Sequence, residues 1–243
     1  MTITPSVRPR RSLCQPIRSV ILWLLLIAAT LISGCAPRQP SQPFTIDRLL
    51  IDEEFAADSI WEAYADPAIK VDLRVADGAY RIEARDGGFM WGLGGGVLTD
   101  TVIEVESEQL SDYADNAYGV MCRASPSADG DGYYFLISGD GYYTIRRGAG
   151  REIAALIPWT AHEAIRKGQT HNRIRAVCLG DYLALFVNDQ FVDETHDHLY
   201  RQGLIGLAAG VPDGGEVIVT FDDLLVFAAV DPAASPPPPN AAG

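Results

Sequence analysis

Carboxylates that recur at every second position are the first candidates for chemistry in this chain. Glu104-Val105-Glu106-Ser107-Glu108 sets three glutamates on one face of a strand, because successive strand side chains point to opposite faces. Two carboxyl groups ~5 to 5.5 Å apart can cleave a glycosidic bond with retention of configuration. At ~3.3 Å per residue Glu104 and Glu108 stand ~13 Å apart, so only Glu104 with Glu106 approaches that spacing. The plainer alternative is three solvated charges on an outward face. His196-Asp197-His198 supplies two imidazoles on one side of a strand end but no third metal ligand. Asp129-Gly130-Asp131-Gly132 lacks the spacing of a calcium loop and reads as a tight surface turn. Gly92-Leu93-Gly94-Gly95-Gly96 has the composition of a phosphate loop. A strand-like stretch follows it, not the helix whose N-terminus would hold an anion. No G-x-S-x-G nucleophile elbow is present.

Aromatic rings and guanidinium groups form a second set, suited to stacking on sugar rings and forking onto hydroxyls. Their placement depends on two hairpins. If Gly139-Asp140 forms a two-residue turn, Tyr133, Phe135 and Tyr142 share one face with Arg146. A turn at Gly180-Asp181 sends Ile174, Ala176, Cys178, Leu183, Leu185 and Val187 to one almost wholly aliphatic core face. Arg173, Arg175, Tyr182 and Phe186 then line the other face and extend the aromatic set. Trp91, in a glycine-flanked segment, stands at a rim, while Trp61 and Trp159 read as core. The alternative is that these aromatics pack in a second layer of core.

The elements that carry these residues read as strands. Period-two runs occur at 47–54, 71–75, 79–84, 101–108, 117–124, 133–138, 142–147, 153–157, 172–179, 182–187, 190–195, 204–209 and 217–227. No apolar stripe of helical period is sustained over three turns, and residues 162–167 offer at most one helical turn. Many short strands separated by turn signals predict an all-β sandwich or barrel.

With 32 acidic and 19 basic residues the 243-residue chain carries a formal charge of −13, which argues against a nucleic-acid partner. The N-terminus has Arg8, Arg10, Arg11 and Arg18, no acid, and then the apolar run VILWLLLIAATLIS. That run is shorter than the ~20 residues of a spanning helix and reads as the core of a signal peptide. Loss of residues 1–34 removes four arginines and no acid, leaving 15 basic and 32 acidic residues and a charge of −17. A Pro/Gln/Ser tether at 35–46 and a Pro-rich tail at 229–243 flank the sandwich at 47–228. Beyond Cys14 and Cys35, Cys122 and Cys178 remain. They read either as a disulfide between neighbouring strands or as two inert buried thiols.

Leu31-Ile32-Ser33-Gly34-Cys35 resembles the lipobox of bacterial lipoproteins, which implies acylation of Cys35, a lipid anchor and an extracytoplasmic cell-envelope location. NRIRAVCLGDYLALFVNDQFVDETHD, followed by QGLIGLAAG and VIVTFDDLLVF, resembles the C-terminal half of concanavalin A-like lectin/glucanase domains. Glu54-Phe55, Ala79-Tyr80-Arg81-Ile82 and Asn116-Ala117-Tyr118-Gly119-Val120 fit the same pattern. The resemblance implies a two-sheet antiparallel jelly-roll sandwich whose concave face binds saccharides in many relatives, a group that includes lectins, laminin-G-like domains, glucanases and 3-keto-disaccharide hydrolases. Glucanases of this fold carry E-x-D-x-E or E-x-D-x-x-E. Glu104 to Glu108 departs from that pattern with Glu at the middle position. The same resemblance suggests a structural Ca²⁺ at Asp222 or Asp223, with oxygens near Asp52 to Glu54, and no other cofactor. Together these features predict a lipid-anchored, non-catalytic module that binds glycan or another extracellular ligand, with a glycosidase-like enzyme acting on the same face or a structural or adhesive envelope protein as alternatives.

Overall fold

The structure, a computed structural model, describes residues 38–150 and 152–234. The expected signal peptide at 1–34, Cys35 with its expected acylation and residues 235–243 of the expected tail lie outside them. Fifteen strands occur, and no helix forms among the described residues. In chain order they are β1 (Thr45–Glu53), β2 (Tyr64–Asp66), β3 (Val71–Ala76), β4 (Ala79–Arg85), β5 (Gly88–Leu98), β6 (Thr101–Gln109), β7 (Ala117–Ala124), β8 (Gly132–Ile137), β9 (Tyr142–Ala149), β10 (Glu152–Ala161), β11 (His171–Leu179), β12 (Tyr182–Val187), β13 (Gln190–His196), β14 (Gly203–Val211) and β15 (Glu216–Val230). One sheet runs β13-β12-β11-β6-β15-β4-β3-β2, with β1 added against β15; the other runs β10-β9-β8-β7-β14-β5. Every pairing is antiparallel. The alternation's all-β sandwich is thus observed, in the two-sheet antiparallel jelly-roll form that the resemblance implies.

Two strands escape the periodicity. β2 is three residues long, and β5 is the glycine-rich GFMWGLGGGVL, where missing side chains erase the alternating signal. The expected helical turn at 162–167 is a non-helical turn.

Alternation along each strand builds the core. Tyr118, Val120 and Cys122 on β7 face Ile174, Ala176 and Cys178 on β11 across the gap between the sheets, and all are buried. Cys122 and Cys178 form the expected disulfide, and the strands it joins, β7 and β11, belong to the two different sheets. It closes a loop with a sequence separation of 56. In the chain-entropy account that contributes about 4 kcal/mol.

At Asp222 and Asp223 the register of β15 against β6 shifts, and Asp223 takes φ +50°. Before this bulge β15 pairs with β4, and beyond it with β1. Asp222 Oδ1 accepts the N–H of Asp223 at 2.8 Å, so the aspartate pair shapes the bulge.

Residues 38–44, expected to be part of a loose tether, dock on the outside of the nine-stranded sheet. Arg38 pairs with Asp193 at 2.6 Å and lies 5.4 Å from the centroid of Phe191. Ser41 N donates to Glu194 at 2.8 Å, and Phe44 packs edge-on to Phe186 at 5.9 Å. One apolar side chain, Phe44, together with the Arg38 ion pair and the Ser41 hydrogen bond fastens this polar stretch, because the outward faces of β12 and β13 offer a cluster around Tyr182, Phe186 and Phe191.

Candidate functional site

The outer face of the six-stranded sheet carries a cleft, and the β8–β9 hairpin sets its geometry. Ser138 and Tyr142 close the loop, with Ser138 N donating to Tyr142 O at 2.9 Å and Gly141 N to Ser138 O at 3.0 Å. Gly139, Asp140 and Gly141 lie between them, and Gly141 takes φ +94°, a conformation that glycine supplies without steric cost. The loop is thus three residues long, not two. One extra residue reverses the face of every β9 side chain relative to β8. Tyr133, Phe135 and Ile137 consequently share the core face with Tyr143 and Ile145, while Tyr142 and Arg146 point outward beside Tyr134 and Leu136.

The floor of the cleft consists of small residues in register across three strands. Gly210 on β14 pairs with Ala117 on β7, and Ser138 continues the row at the end of β8. Large side chains rise on both sides. Phe89 on β5 leans over Gly210, where an added Cβ would come within 2.5 Å of the ring. Trp159 stands on the opposite edge strand, β10, after a bulge in which Pro158 and Trp159 together oppose Thr144. Proline is tolerated there because an edge strand has no outer partner for its missing N–H. Trp159 and Tyr142 are 39% and 40% exposed, large rings left in water at the mouth. Two adjoining depressions of about 290 and 200 Å³ share Asp115, Asn116 and Trp159 and together make up the cleft.

The polar groups of the cleft are held in place. Buried Asn116 donates through Nδ2 to Tyr113 O at 2.6 Å and accepts Gly139 N at 3.1 Å, which ties the start of β7 to the hairpin loop. Ser138 Oγ donates to the Asp140 carboxylate and accepts Tyr142 N at 3.2 Å. Arg146 donates to Ile153 O at 2.9 Å and lies 5.8 Å from the Phe89 centroid. Its Nε has no partner among the described residues. Burial lowers the Arg146 pKa from the ordinary arginine value, yet a guanidinium stays cationic in a protein. The cleft thus offers two exposed rings, fixed amide and hydroxyl groups, one cation and the carboxylates of Asp115 and Asp140.

Of the site residues expected from sequence, Tyr142 and Arg146 line this cleft. Tyr133 and Phe135 are fully buried between the sheets, and the three-residue loop takes them off the face that carries Tyr142 and Arg146. Arg173, Arg175, Tyr182 and Phe186 do face away from the core, as the two-residue turn at Gly180-Asp181 requires. They belong to the other sheet, however, and cannot extend the cleft. Protein side chains also cover the two rings. Tyr182 donates to Glu194 at 2.7 Å beneath the docked N-terminal segment, and Phe186 lies against Phe44, Phe191 and Arg175.

Glu104, on the same outer face as these arginines, is 5% exposed and accepts from both Arg173 and Arg175. Glu106 lies 3.8 Å from Arg173. The expected carboxylate pair is therefore part of an ion-pair ladder on the far side of the sandwich. Trp91 packs edge-on to Tyr134 at 6.3 Å and lines a separate cavity rather than the rim of this cleft. Among the described residues no three of His, Cys, Asp and Glu gather as a metal site, and Asp222 with Asp223 serves the β15 bulge.

Sequence reasoning missed Phe89, Asp115, Asn116, Ser138, Asp140 and Trp159. The S-G-D-G-Y string permits a three-residue turn ending in glycine, and Pro158 marks an edge strand; these two signals together would have exposed Tyr142 and Trp159.

An aromatic-walled cleft on one face of an antiparallel sandwich invites comparison with solved structures. The fold is the one seen in carbohydrate-binding modules and β-glucanases. The chain is similar to the carbohydrate-binding module CBM66 from Bacillus subtilis, with a TM-score of 0.56 and 15% identity over 69% of this chain and 95% of that one. It is similar to a protein of unknown function with a galectin-like fold from Bacillus subtilis, with a TM-score of 0.56 and 14% identity over 77% and 99%. A prokaryotic β-1,3-1,4-glucanase from a mouse hindgut metagenome gives a TM-score of 0.53 and 11% identity over 73% and 98%. No protein-family model matches the chain, and no curated protein matches it in sequence. At these identities the likeness is one of fold.

Proposed function

We propose that this protein is a glycan-binding module without catalytic activity, held outside the cytoplasm by acylation of Cys35. The observation that carries the proposal is the pair of half-exposed rings, Trp159 and Tyr142, at one side of a floor of small residues that Phe89 bounds on the other, with Asn116 and Arg146 fixed beside it. Exposed aromatic rings stack on the C–H faces of sugars, and immobilised polar groups reach hydroxyls with little loss of side-chain entropy on binding. The fold shared with a carbohydrate-binding module and a glucanase supports the ligand class. The inter-sheet disulfide supports an oxidising compartment outside the cytosol.

A hydrolytic function is the second reading, and one feature favours it. Asp115 and Asp140 line the same depression beside Trp159. Against it, Asp115 is exposed and Asp140 is engaged by Ser138, whereas a general acid is ordinarily held in an apolar pocket. Affinity electrophoresis in mixed-linkage β-glucan, run with an assay for released reducing ends, separates the two. Retardation without release supports binding. Release abolished by Asp115→Asn or Asp140→Asn establishes hydrolysis, and neither retardation nor release across a panel of neutral glycans leaves an adhesive or structural envelope role.

A further inference from the structure

Across Phe89 from the cleft lies a second cavity of about 330 Å³, at the open edge of the sandwich. Phe89 and Trp91 on β5 form one wall, Val71 on β3 closes the other, and Tyr64 and Ile69 stand at the mouth, 50% and 56% exposed. Glu62 is the charged group of the lining and is held there, its Oε2 accepting Leu93 N at 3.1 Å and its carbonyl accepting the Tyr80 hydroxyl at 2.6 Å.

We propose that the cleft and this cavity are consecutive subsites of one groove, and that the groove takes an internal stretch of a neutral, chain-forming glycan. The inference rests on the glycan-binding reading of the cleft. Three observations carry it further. Phe89 lines both cavities, so a chain leaving the cleft along the sheet passes over that ring into the second cavity. Half-exposed rings stand at both far ends, Trp159 and Tyr64, where a single terminal sugar could reach only one. The charge of the groove is acidic: Asp115, Asp140 and Glu62 line it, while Arg146 is engaged by Ile153 O and Phe89. Such a lining repels uronates and accepts hydroxyls.

Isothermal titration of the full chain with neutral gluco-oligosaccharides, from disaccharide to hexasaccharide, tests the proposal. Affinity is expected to rise about tenfold or more across the series, the size of one added aromatic contact. Tyr64→Ala is expected to cost the hexasaccharide about tenfold more than it costs the disaccharide. Both Tyr64 and Ile69 are exposed, so Ile69→Ala serves as an independent second variant with the same expected direction. A disaccharide that binds as tightly as the hexasaccharide, or a Tyr64→Ala loss equal for both, overturns the groove. Tighter binding of oligogalacturonate than of the neutral series overturns the neutral ligand. If no oligosaccharide of either kind binds, the glycan-binding reading fails and this inference falls with it.

Discussion

Phe89 on β5 and Arg146 on β9 meet although three strands lie between them, with the guanidinium carbon 5.8 Å from the ring centroid. They meet because the outward positions between them are small. Gly210 leaves room for the Phe89 ring to lie across β14, and Ala117 continues the gap on β7. The wall of the cleft therefore depends on an absent side chain. Gly210→Ala places a Cβ 2.5 Å from Phe89 Cδ1. It is expected to push the ring off its seat and lower glycan affinity about tenfold, while the circular dichroism spectrum stays that of the native sandwich. Unchanged affinity would show that Phe89 does not shape the site.

The glutamate ladder of β6 separates the structural role of Glu104 from the catalytic one. Glu104→Gln leaves the part-buried Arg173 and Arg175 without the buried carboxylate they share. A loss of about 2 kcal/mol in urea unfolding is expected, as for hydrogen bonds to charged groups, with glycan affinity unchanged. Loss of a measurable hydrolytic activity without loss of stability would restore the catalytic role.

Acid sensitivity follows from Asp197. Burial works to raise its pKa, but Tyr133 Oη at 2.6 Å, Leu199 N at 3.0 Å and Arg147 at 2.5 Å outweigh burial and hold it below the ordinary carboxylate value. The same bond helps to push Tyr133, already raised by burial, up to about 12. A depressed folded-state pKa contributes stability above the unfolded value of ~3.9, and that stability is lost as pH falls through the folded pKa. Glu83 and Glu194 shift in the same direction. Unfolding free energy is thus expected to be flat near neutrality and to fall below about pH 4. Asp197→Asn should remove about 2 kcal/mol at pH 7 and shrink the acid-dependent loss. A variant with the full acid slope of the parent would place the sensitivity elsewhere.

Reduction tests the link between the sheets. Cys122 and Cys178 are both fully buried, so dithiothreitol alone should act slowly on the native protein. The Cys122→Ala, Cys178→Ala double variant should unfold at lower urea, with a loss of about 4 kcal/mol or somewhat more once two small cavities are counted. Stability equal to the parent would mean that core packing holds the sheets together without the bond.

The sequence made the architecture legible because strand alternation survives wherever side chains are present. Thirteen of the fifteen strands carry it. β5 does not, since glycines occupy its central positions, and β5 supplies Phe89 and Trp91. The Gly180-Asp181 turn placed Ile174 through Val187 on the correct faces because a two-residue loop there matches the observed register. At the β8–β9 hairpin the one additional residue, Gly141 at positive φ, takes Tyr133 and Phe135, in the core, off the face that carries Tyr142 and Arg146. Face assignment in a hairpin is a parity argument, and parity is lost entirely by an error of one. Trp159 was hidden for a different reason. A tryptophan in an apolar strand resembles core, and only the bulge at Pro158 and the edge position of β10 bring it to the surface.

The most direct test of the account is isothermal titration of the parent and of the Trp159→Ala, Tyr142→Ala double variant with a neutral β-glucan hexasaccharide. Both rings are exposed, so the variant is expected to unfold at the same temperature as the parent. The account predicts measurable binding by the parent and a loss of about a hundredfold in the variant, roughly a factor of ten for each ring. Equal affinity of parent and variant, with both folded, would contradict it.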